Sequence, residues 1–257
     1  MPTRLTVTGV PVDAVTFKEA TARAAGFVID GRQHLIVTPN PEMAVLAERD
    51  PSFRKILESS DLALCDGFGL KLGAWLDRKR VPEIITGVDF TLALAMIAEQ
   101  NSCSAYFLGG GRGVAENAAE MLKKQFPRLR IAGAESGGRI RWINGEWRQD
   151  PKLIDRIASA GPDLLFVALG HGKQERWIHD HLLRLPSVKI AIGVGGALDY
   201  CSGLKKRAPK TLRLLHLEWL WRLLTEPWRL PRMFDATVRF LILALKKRTS
   251  KSKVSGL

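Results

Sequence analysis

Cysteine is scarce in this chain. Three occur in 257 residues, at 65, 103 and 201, and no two form a C-x-x-C pair. That excludes a disulfide-stapled scaffold, and so sparse and odd a count suits a reducing compartment. Cys65 and Cys103 lie in or beside apolar runs and read as buried core thiols. The five histidines and three cysteines show no metal-ligand spacing. Long hydrophobic runs are also missing. "FLILAL" at 240–245 comes nearest and falls far short of the roughly 18 residues that a bilayer span needs. The first residues, "MPTRLTVTGVPVDAVTF", lack the basic-then-apolar order of a secretory signal. Two nucleotide fingerprints are absent as well. There is no G-x-x-x-x-G-K-[ST], and a G-x-G-x-x-G at "GGGRGV" fails because position 114 is Val. No D-x-D pair appears, so phosphate charge would have to be met by helix N-termini and by Arg or Lys.

What the chain has is an ordinary globular composition, 46% hydrophobic, with a net charge of +13. The charge is unevenly placed. From Leu204 onward there are 14 Lys+Arg against 3 Asp+Glu, a net of +11, which leaves only +2 for the first 203 residues. A nearly neutral body with a basic C-terminal segment points to an anionic partner for that segment.

Apolar runs alternate with helical periodicity. Strands are expected at "RLTVTGVPV" (a strand or hairpin arm), "HLIVT" (34–38), "DLALC" (61–65), "SAYFLGG", "LRIAGA", "DLLFVALG" and "VKIAIGVGG". Helices are expected at 16–30, at 41–59 in two pieces divided by Pro51, and at 68–76, 87–100, 112–126, 151–160 and 173–184. Residues 135–149 form an irregular excursion, with a small hairpin around Asn144-Gly145. After Pro209, leucines and tryptophans recur at helical spacing with arginines between them. Pro227 and Pro231 divide this part into two helices, and a polar basic tail at 248–257 reads as disordered. The division is thus a body at 1–203, a helical appendage at 204–247 and the tail. The alternation, with several continuously apolar strands, predicts an α/β fold: a parallel sheet covered by helices on both faces. Ligands in such sheets bind at the carboxyl ends of the strands. Thr38-Pro39-Asn40, Asp66-Gly67, Gly109-Gly110-Gly111, Gly170 to Gln174 and Gly193 to Asp199 all follow strands and should line one cleft.

Each of these stretches has two readings. Asp66, before Gly67, could act as a general base or could N-cap the next helix. The glycines at 109–111 could cradle a pyrophosphate or form a plain turn. Lys173 and Gln174 could meet phosphate and sugar or sit on a solvated first turn. Asp199 could accept from a nucleotide or cap a turn. In the C-terminal segment, Trp219, Trp221, Trp228 and Phe234 alternate with Arg213, Arg222, Arg229 and Arg232. That pattern suits a membrane surface, helix packing on the body, or single-stranded nucleic acid.

Taken in order, "TPNPEM" (38–43), Asp66-Gly67-x-Gly69, "TGVD" (86–89), "FLGG" with "GVAENAA", "LG-x-x-KQE-x-W" (169–177), "VGGALD" (194–199), "RAP" (207–209) and "LEWLWRLLTEPWRLPR" (217–232) resemble the WecG/TagA/CpsF family of bacterial glycosyltransferases. The resemblance runs from about residue 5 to 235. It implies a Rossmann-like sheet with a C-terminal appendage. It implies an inverting, metal-independent transfer of a sugar from a UDP-sugar to a polyprenyl-diphosphate-linked sugar, in cell-surface polysaccharide synthesis. The sugar could be N-acetylmannosamine, its uronic acid or glucose. By this resemblance Asp66 is the base, with Thr38 and Gln174 also catalytic. Asn40, Gly67, Gly109, Gly110, Lys173, Gly195, Gly196 and Asp199 are candidates for the nucleotide-sugar, and Arg213, Arg222 and Arg229 for the acceptor diphosphate or the membrane. No metal or other cofactor is implied. The partners implied are the UDP-sugar, the lipid-linked acceptor, an anionic membrane surface met by residues 204–257, and a second copy of the chain; nucleic acid is not expected. The implied location is cytoplasmic, peripheral on the inner face of the bacterial plasma membrane. Two positions depart from the family pattern: Ile84 stands where members usually carry Arg, with Arg78 or Arg80 as substitutes, and Gly172 stands where many carry Pro.

Two rival readings make different demands. A Rossmann dehydrogenase needs the G-x-G-x-x-G that is missing here. A nucleic-acid-binding protein using the basic segment would show steeply salt-dependent binding and no affinity for UDP.

Overall fold

The computed structural model describes residues 3–214 and 218–254, and the side chains of 214, 222, 229–233, 235 and 248–254 lie outside the description. The chain opens on an antiparallel hairpin, β1 (Arg4–Val7) and β2 (Val10–Asp13). Helix α1 (Phe17–Ile29) leads into β3 (His34–Val37), α2 (Pro41–Arg49), α3 (Pro51–Glu58), β4 (Leu62–Ala63), α4 (Phe68–Leu76) and α5 (Gly87–Gln100). Next come β5 (Ser104–Gly109), α6 (Val114–Gln125), β6 (Arg130–Glu135) and a second hairpin, β7 (Arg141–Ile143) with β8 (Glu146–Arg148). The body ends with α7 (Leu153–Ala160), β9 (Leu164–Ala168), α8 (Lys173–His181), β10 (Ile190–Gly193) and α9 (Ala197–Cys201).

Six strands form one sheet in the order β4-β3-β10-β9-β5-β6, and every neighbouring pair is parallel. The expected α/β architecture with a Rossmann-like sheet is therefore present. All residues of β3, β5, β9 and β10 are buried, as strands covered on both faces must be. Alternation along each strand sorts the side chains into two cores. Ile36, Phe107, Phe166 and Ile192 face α1, α5, α6 and α9. Leu35, Val37, Leu108, Leu165 and Val167 face α2, α3, α7, α8 and the first hairpin.

Local signals set the helix starts. Thr16 and Glu19 form a reciprocal capping box on α1. Asn40 accepts from the Met43 N–H at 3.0 Å and is followed by Pro41 at the first helical position. Asp50 ends α2 and caps α3, so the division at Pro51 falls as expected. Asn144 and Gly145, both at positive φ, make the two-residue turn between β7 and β8.

Three expectations change. Strand β4 spans two residues rather than five, because its pairing with β3 is confined to Leu62 and Ala63. Pro231 does not break a helix. It lies in the first turn of α12 (Leu230–Val254), where a missing N–H costs nothing. Helix α12 also carries the backbone of the expected disordered tail as far as Val254, since no Gly or Pro interrupts 248–254; residues 255–257 lie outside those described.

Ahead of α12 come α10 (Lys210–Leu214), α11 (Glu218–Thr225) and a 3₁₀ turn at Pro227–Arg229. Helix α12 packs on α2 and α4. Phe240, 1% exposed, presses on Gly73, where a Cβ would lie 2.7 Å from the ring. Two turns along, Lys247 pairs with Glu48 at 2.7 Å. Replacing Phe240 by Ala should weaken this docking by about 3 kcal/mol. Limited proteolysis checks it: cleavage within 230–254 should accelerate, while fragments from the six-stranded body stay protected.

Candidate active site

Because all six strands are parallel, their carboxyl ends share one edge. The segments leaving β9 and β5 part to opposite faces, α8 with one core and α6 with the other. That parting opens a crevice at the edge. Strands β4 and β5 are four ladder spacings apart, about 19 Å. The predicted site residues therefore fall into separate groups along the edge.

At the β4 end, Asp66 is half-buried and its N–H donates to the Pro39 carbonyl at 2.9 Å. The capping alternative fails here. The N-cap of α4 is Gly67, at φ +94°, not Asp66. The Ile85 N–H donates to the Cys65 carbonyl at 2.9 Å, which brings the "TGVD" segment alongside. A Cβ on Gly87 would lie 3.8 Å from Asp66 Oδ2, 3.8 Å from the Val194 carbonyl and 4.0 Å from the Ala197 methyl. Three chain segments thus meet at the Asp66 carboxyl. Burial, reinforced by the Asp66 charge, pushes the neighbouring Cys65 thiol up to about 12, so Cys65 is an inert core thiol. Arg78 and Arg80 are both exposed, whereas the field of Lys71, one turn into α4, reaches Cys65.

In the middle of the edge, Thr38 is buried at the end of β3. Asn40 Nδ2 lies 3.4 Å from His171 Nδ1, which joins the β3 and β9 loops. Gln174 is 1% exposed. Its Oε1 accepts from the Gly195 N–H at 3.0 Å and its Nε2 donates to Glu175 at 2.8 Å. Gln174 therefore supports the β10 loop instead of lying open on a solvated first turn.

At the β5/β9 end, Gly110 donates its N–H to the Ala168 carbonyl at 2.8 Å. Gly109 stands at φ +105°, and a Cβ there would collide with the Ala168 carbonyl, so only glycine fits. A cleft of about 290 Å³ opens beside them, walled by the start of α8 and the segment after β6. Lys173, Arg139 and Arg141 line it, and no acidic side chain does. Lys173 Nζ donates to the Ile140 carbonyl at 3.1 Å. Burial lowers the Lys173 pKa, and the nearby Arg141 lowers it further. Cations crowded without a carboxylate favour an anionic ligand.

The β10 loop also meets the C-terminal helices. Gly196 is the N-cap of α9, and Asp199 pairs with Lys205 at 2.8 Å. Lys205 in turn pairs with the buried Glu226 at 2.9 Å. Arg207 donates to both Asp89 oxygens at 2.7 Å and to Glu218 at 2.9 Å, which ties the start of α5 to α11. Burial opposes the Arg207 charge, but the two carboxylates outweigh it and raise its pKa. Arg213 is half-buried and its charge helps hold Asp89 ionised. The side chains of Arg222 and Arg229 lie outside the described residues. Among the described residues no group of three or more His, Cys, Asp or Glu is placed to hold a metal ion, and no helix is long and apolar enough to cross a membrane.

Four residues escaped the sequence reading as site residues. Arg139 and Arg141 sit in the excursion after β6, and their signal was two basic residues just past a Gly-Gly pair that follows a strand end. Glu175 carried the signal of a capping-box carboxylate three residues after Gly172. Arg207 had only its place in "RAP" to mark it.

A family model for the glycosyl transferase WecG/TagA/CpsF family matches residues 5–254. A Bacillus spizizenii protein named N-acetylglucosaminyldiphosphoundecaprenol N-acetyl-beta-D-mannosaminyltransferase is 34% identical over 218 residues, which cover 85% of this chain and 81% of that protein. Its namesake from Bacillus subtilis strain 168 is 33% identical over 84% of this chain and 81% of its own. A Staphylococcus aureus protein of the same name is 28% identical over 96% and 95%. With a match over nearly its whole length and a carboxylate, cationic cleft and glycine loops along one sheet edge, the chain belongs to the WecG/TagA/CpsF family of glycosyltransferases.

Proposed function

We propose that this enzyme transfers a sugar from a UDP-sugar to a polyprenyl-diphosphate-linked sugar, with inversion and with Asp66 as general base. The observation that carries the reading is the position of Asp66. Its carboxyl lies at the carboxyl edge where the β4, "TGVD" and β10 segments meet. The names of the relatives favour N-acetylmannosamine as the sugar and N-acetylglucosamine on a diphosphoundecaprenol as the acceptor.

The geometry supports one donor pose. The nucleoside diphosphate enters the cleft between β5 and β9, where Lys173, Arg139 and Arg141 offset its charge. The cleft then holds the phosphate nearer the nucleoside, and the diphosphate runs along the edge so that the sugar-bearing phosphate and the anomeric carbon lie beside Asp66. Asp66 takes the proton of the acceptor hydroxyl as that oxygen attacks the anomeric carbon. The new C–O bond forms as the bond to the diphosphate breaks, and UDP leaves as an anion. One displacement with one base gives inversion without a covalent intermediate. The departing charge is met by the cleft cations and needs no metal in this scheme.

The acceptor's lipid calls for a membrane surface. On α12, Phe234, Val238, Ile242 and Leu245 are exposed along the side away from Phe240 and Ala244. Trp219, Leu224 and Trp228 are exposed on the segments before it. Apolar side chains among the basic residues of 204–257 suit the headgroup region of an anionic bilayer. The protein would then act as a peripheral enzyme on the face where its soluble donor is available.

Two measurements test this reading. Asp66→Asn should bind UDP within about threefold of wild type by calorimetry, while turnover with UDP-N-acetylmannosamine and a lipid-diphosphate acceptor falls about 10²- to 10⁴-fold. Near-normal turnover of the variant would remove Asp66 from the chemistry. The double variant Arg139→Ala with Arg141→Ala should weaken UDP about tenfold, about 1.4 kcal/mol, and leave uridine unaffected. Equal losses for UDP and uridine would place the base, not the diphosphate, in the cationic cleft.

A further inference from the structure

Glu175 is fully buried, and among the described residues no Lys, Arg or His pairs with it. Its Oε2 accepts from the Gly172 N–H at 2.7 Å and its Oε1 from Gln174 Nε2 at 2.8 Å. A carboxylate is a costly way to fill a core position without a cation.

What this carboxylate controls is the orientation of an amide. The Gly195 N–H can only donate, so Gln174 must turn its oxygen toward it. An ionised carboxylate can only accept, so Gln174 must turn its nitrogen toward Glu175. An ionised Glu175 meets both demands with either oxygen, whereas a neutral one meets them only with its proton on Oε2, the atom that already accepts from the Gly172 N–H. A proton on Oε1 would invite the amide to flip and would set its nitrogen against the Gly195 N–H. Gly193 leaves the room for this pair, since a Cβ there would lie 2.7 Å from both Gln174 Nε2 and Glu175 Oε1. The loop thus anchored continues into Val194 and Ala197, which lie beside Asp66 at Gly87.

We propose that Glu175 is a positioning residue: through Gln174 it holds the Gly193–Ala197 loop in register with Asp66, and turnover requires its ionised form. The proposal rests on Asp66 being the base.

The titration of Glu175 supports this geometry. Burial pushes its pKa up to about 7, against hydrogen bonds from Gln174 and from the Glu175 and Gly172 N–H groups. No charged group contributes. Its carboxyl meets Gln174, next to it in the chain, Gly172, three residues before it, and Gly193 on β10, none of them titratable. Of the titratable side chains around it, Lys173 turns to the Ile140 carbonyl, Arg176 pairs with Asp50, and His171 lies at Gly195. The folded protein keeps the Glu175 proton up to about pH 7, whereas the unfolded chain releases it near the ordinary 4.5. Glu175 therefore costs stability progressively as pH rises through that window, while activity gains.

Glu175→Gln, nearly isosteric, is the test. Its kcat should fall at least tenfold at pH 8 with the donor KM within about threefold. The ascending limb of kcat near pH 7 should vanish. Its melting temperature relative to wild type should rise between pH 5 and pH 8, which reports the buried carboxyl's titration, whereas the lost kcat limb is the readout that a purely structural carboxylate would not move. Wild-type kcat with an unchanged limb would overturn the proposal. Hydrogen exchange on wild type alone decides the matter if the variant does not fold or if no donor is turned over. Corrected for intrinsic rates, deuterium uptake over 193–197 should drop from pH 6 to pH 8, and equal uptake would overturn the proposal. Absence of wild-type turnover would count against the donor reading and leave the exchange result to judge Glu175.

Discussion

The parallel hydrogen-bond ladder is the constraint on which the rest depends. A parallel neighbour cannot be reached through a tight turn, so each strand must be followed by a crossover on one face or the other. Every strand therefore ends on the same edge, and every segment leaving that edge is free of the ladder. Such segments can carry groups that a strand interior would not tolerate. Here they carry a carboxylate after β4, a buried amide–carboxyl pair after β9, a glycine loop after β10 and three cations around the β5/β9 crevice.

The distribution of charge along that edge is as informative as its presence. About 19 Å separates β4 from β5, so Asp66 and the cationic cleft mark two ends of the edge, and the long Lys and Arg side chains narrow the gap between them. Between them lies the most deeply buried polar pair of the edge, Gln174 and Glu175. The C-terminal helices close on the same region from outside. Arg207 and Lys205 tie them to Asp89 and Asp199, while Phe240 seats α12 on Gly73. The appendage is thus fastened at two points. One joins the Phe240 contact to the Lys247–Glu48 pair; the other is ionic and built on the loops of Asp89 and Asp199.

Much of this was legible in the residues. Continuous apolar runs such as "LLFVA" can be satisfied only between two covered faces, and Pro51 marked the start of a second helix within 41–59. The expected bounds 68–76 and 87–100 coincide with α4 and α5 because capping and Gly-bearing ends are local chemistry. Strand order was not legible, since the crossover lengths permit several. Nor was the fate of Gln174. A first-turn residue beside Lys173 reads as solvated until β10 is known to lie next to β9 and to bring Gly195 over it. Asp66 reads equally as a cap or a base in the sequence, and the structure puts Gly67, not Asp66, in the cap position. Arg139 and Arg141 became site residues only when the excursion after β6 folded back over the start of α8.

The central claim is that the loops at this edge form one donor site. Hydrogen exchange of the wild type with and without UDP tests it most directly. The account predicts that UDP slows exchange together in the segments around 109–113, 138–141, 170–175 and 193–199, while the opposite edge of the sheet is unchanged. Protection confined to the C-terminal helices, or found at the opposite edge, would contradict it.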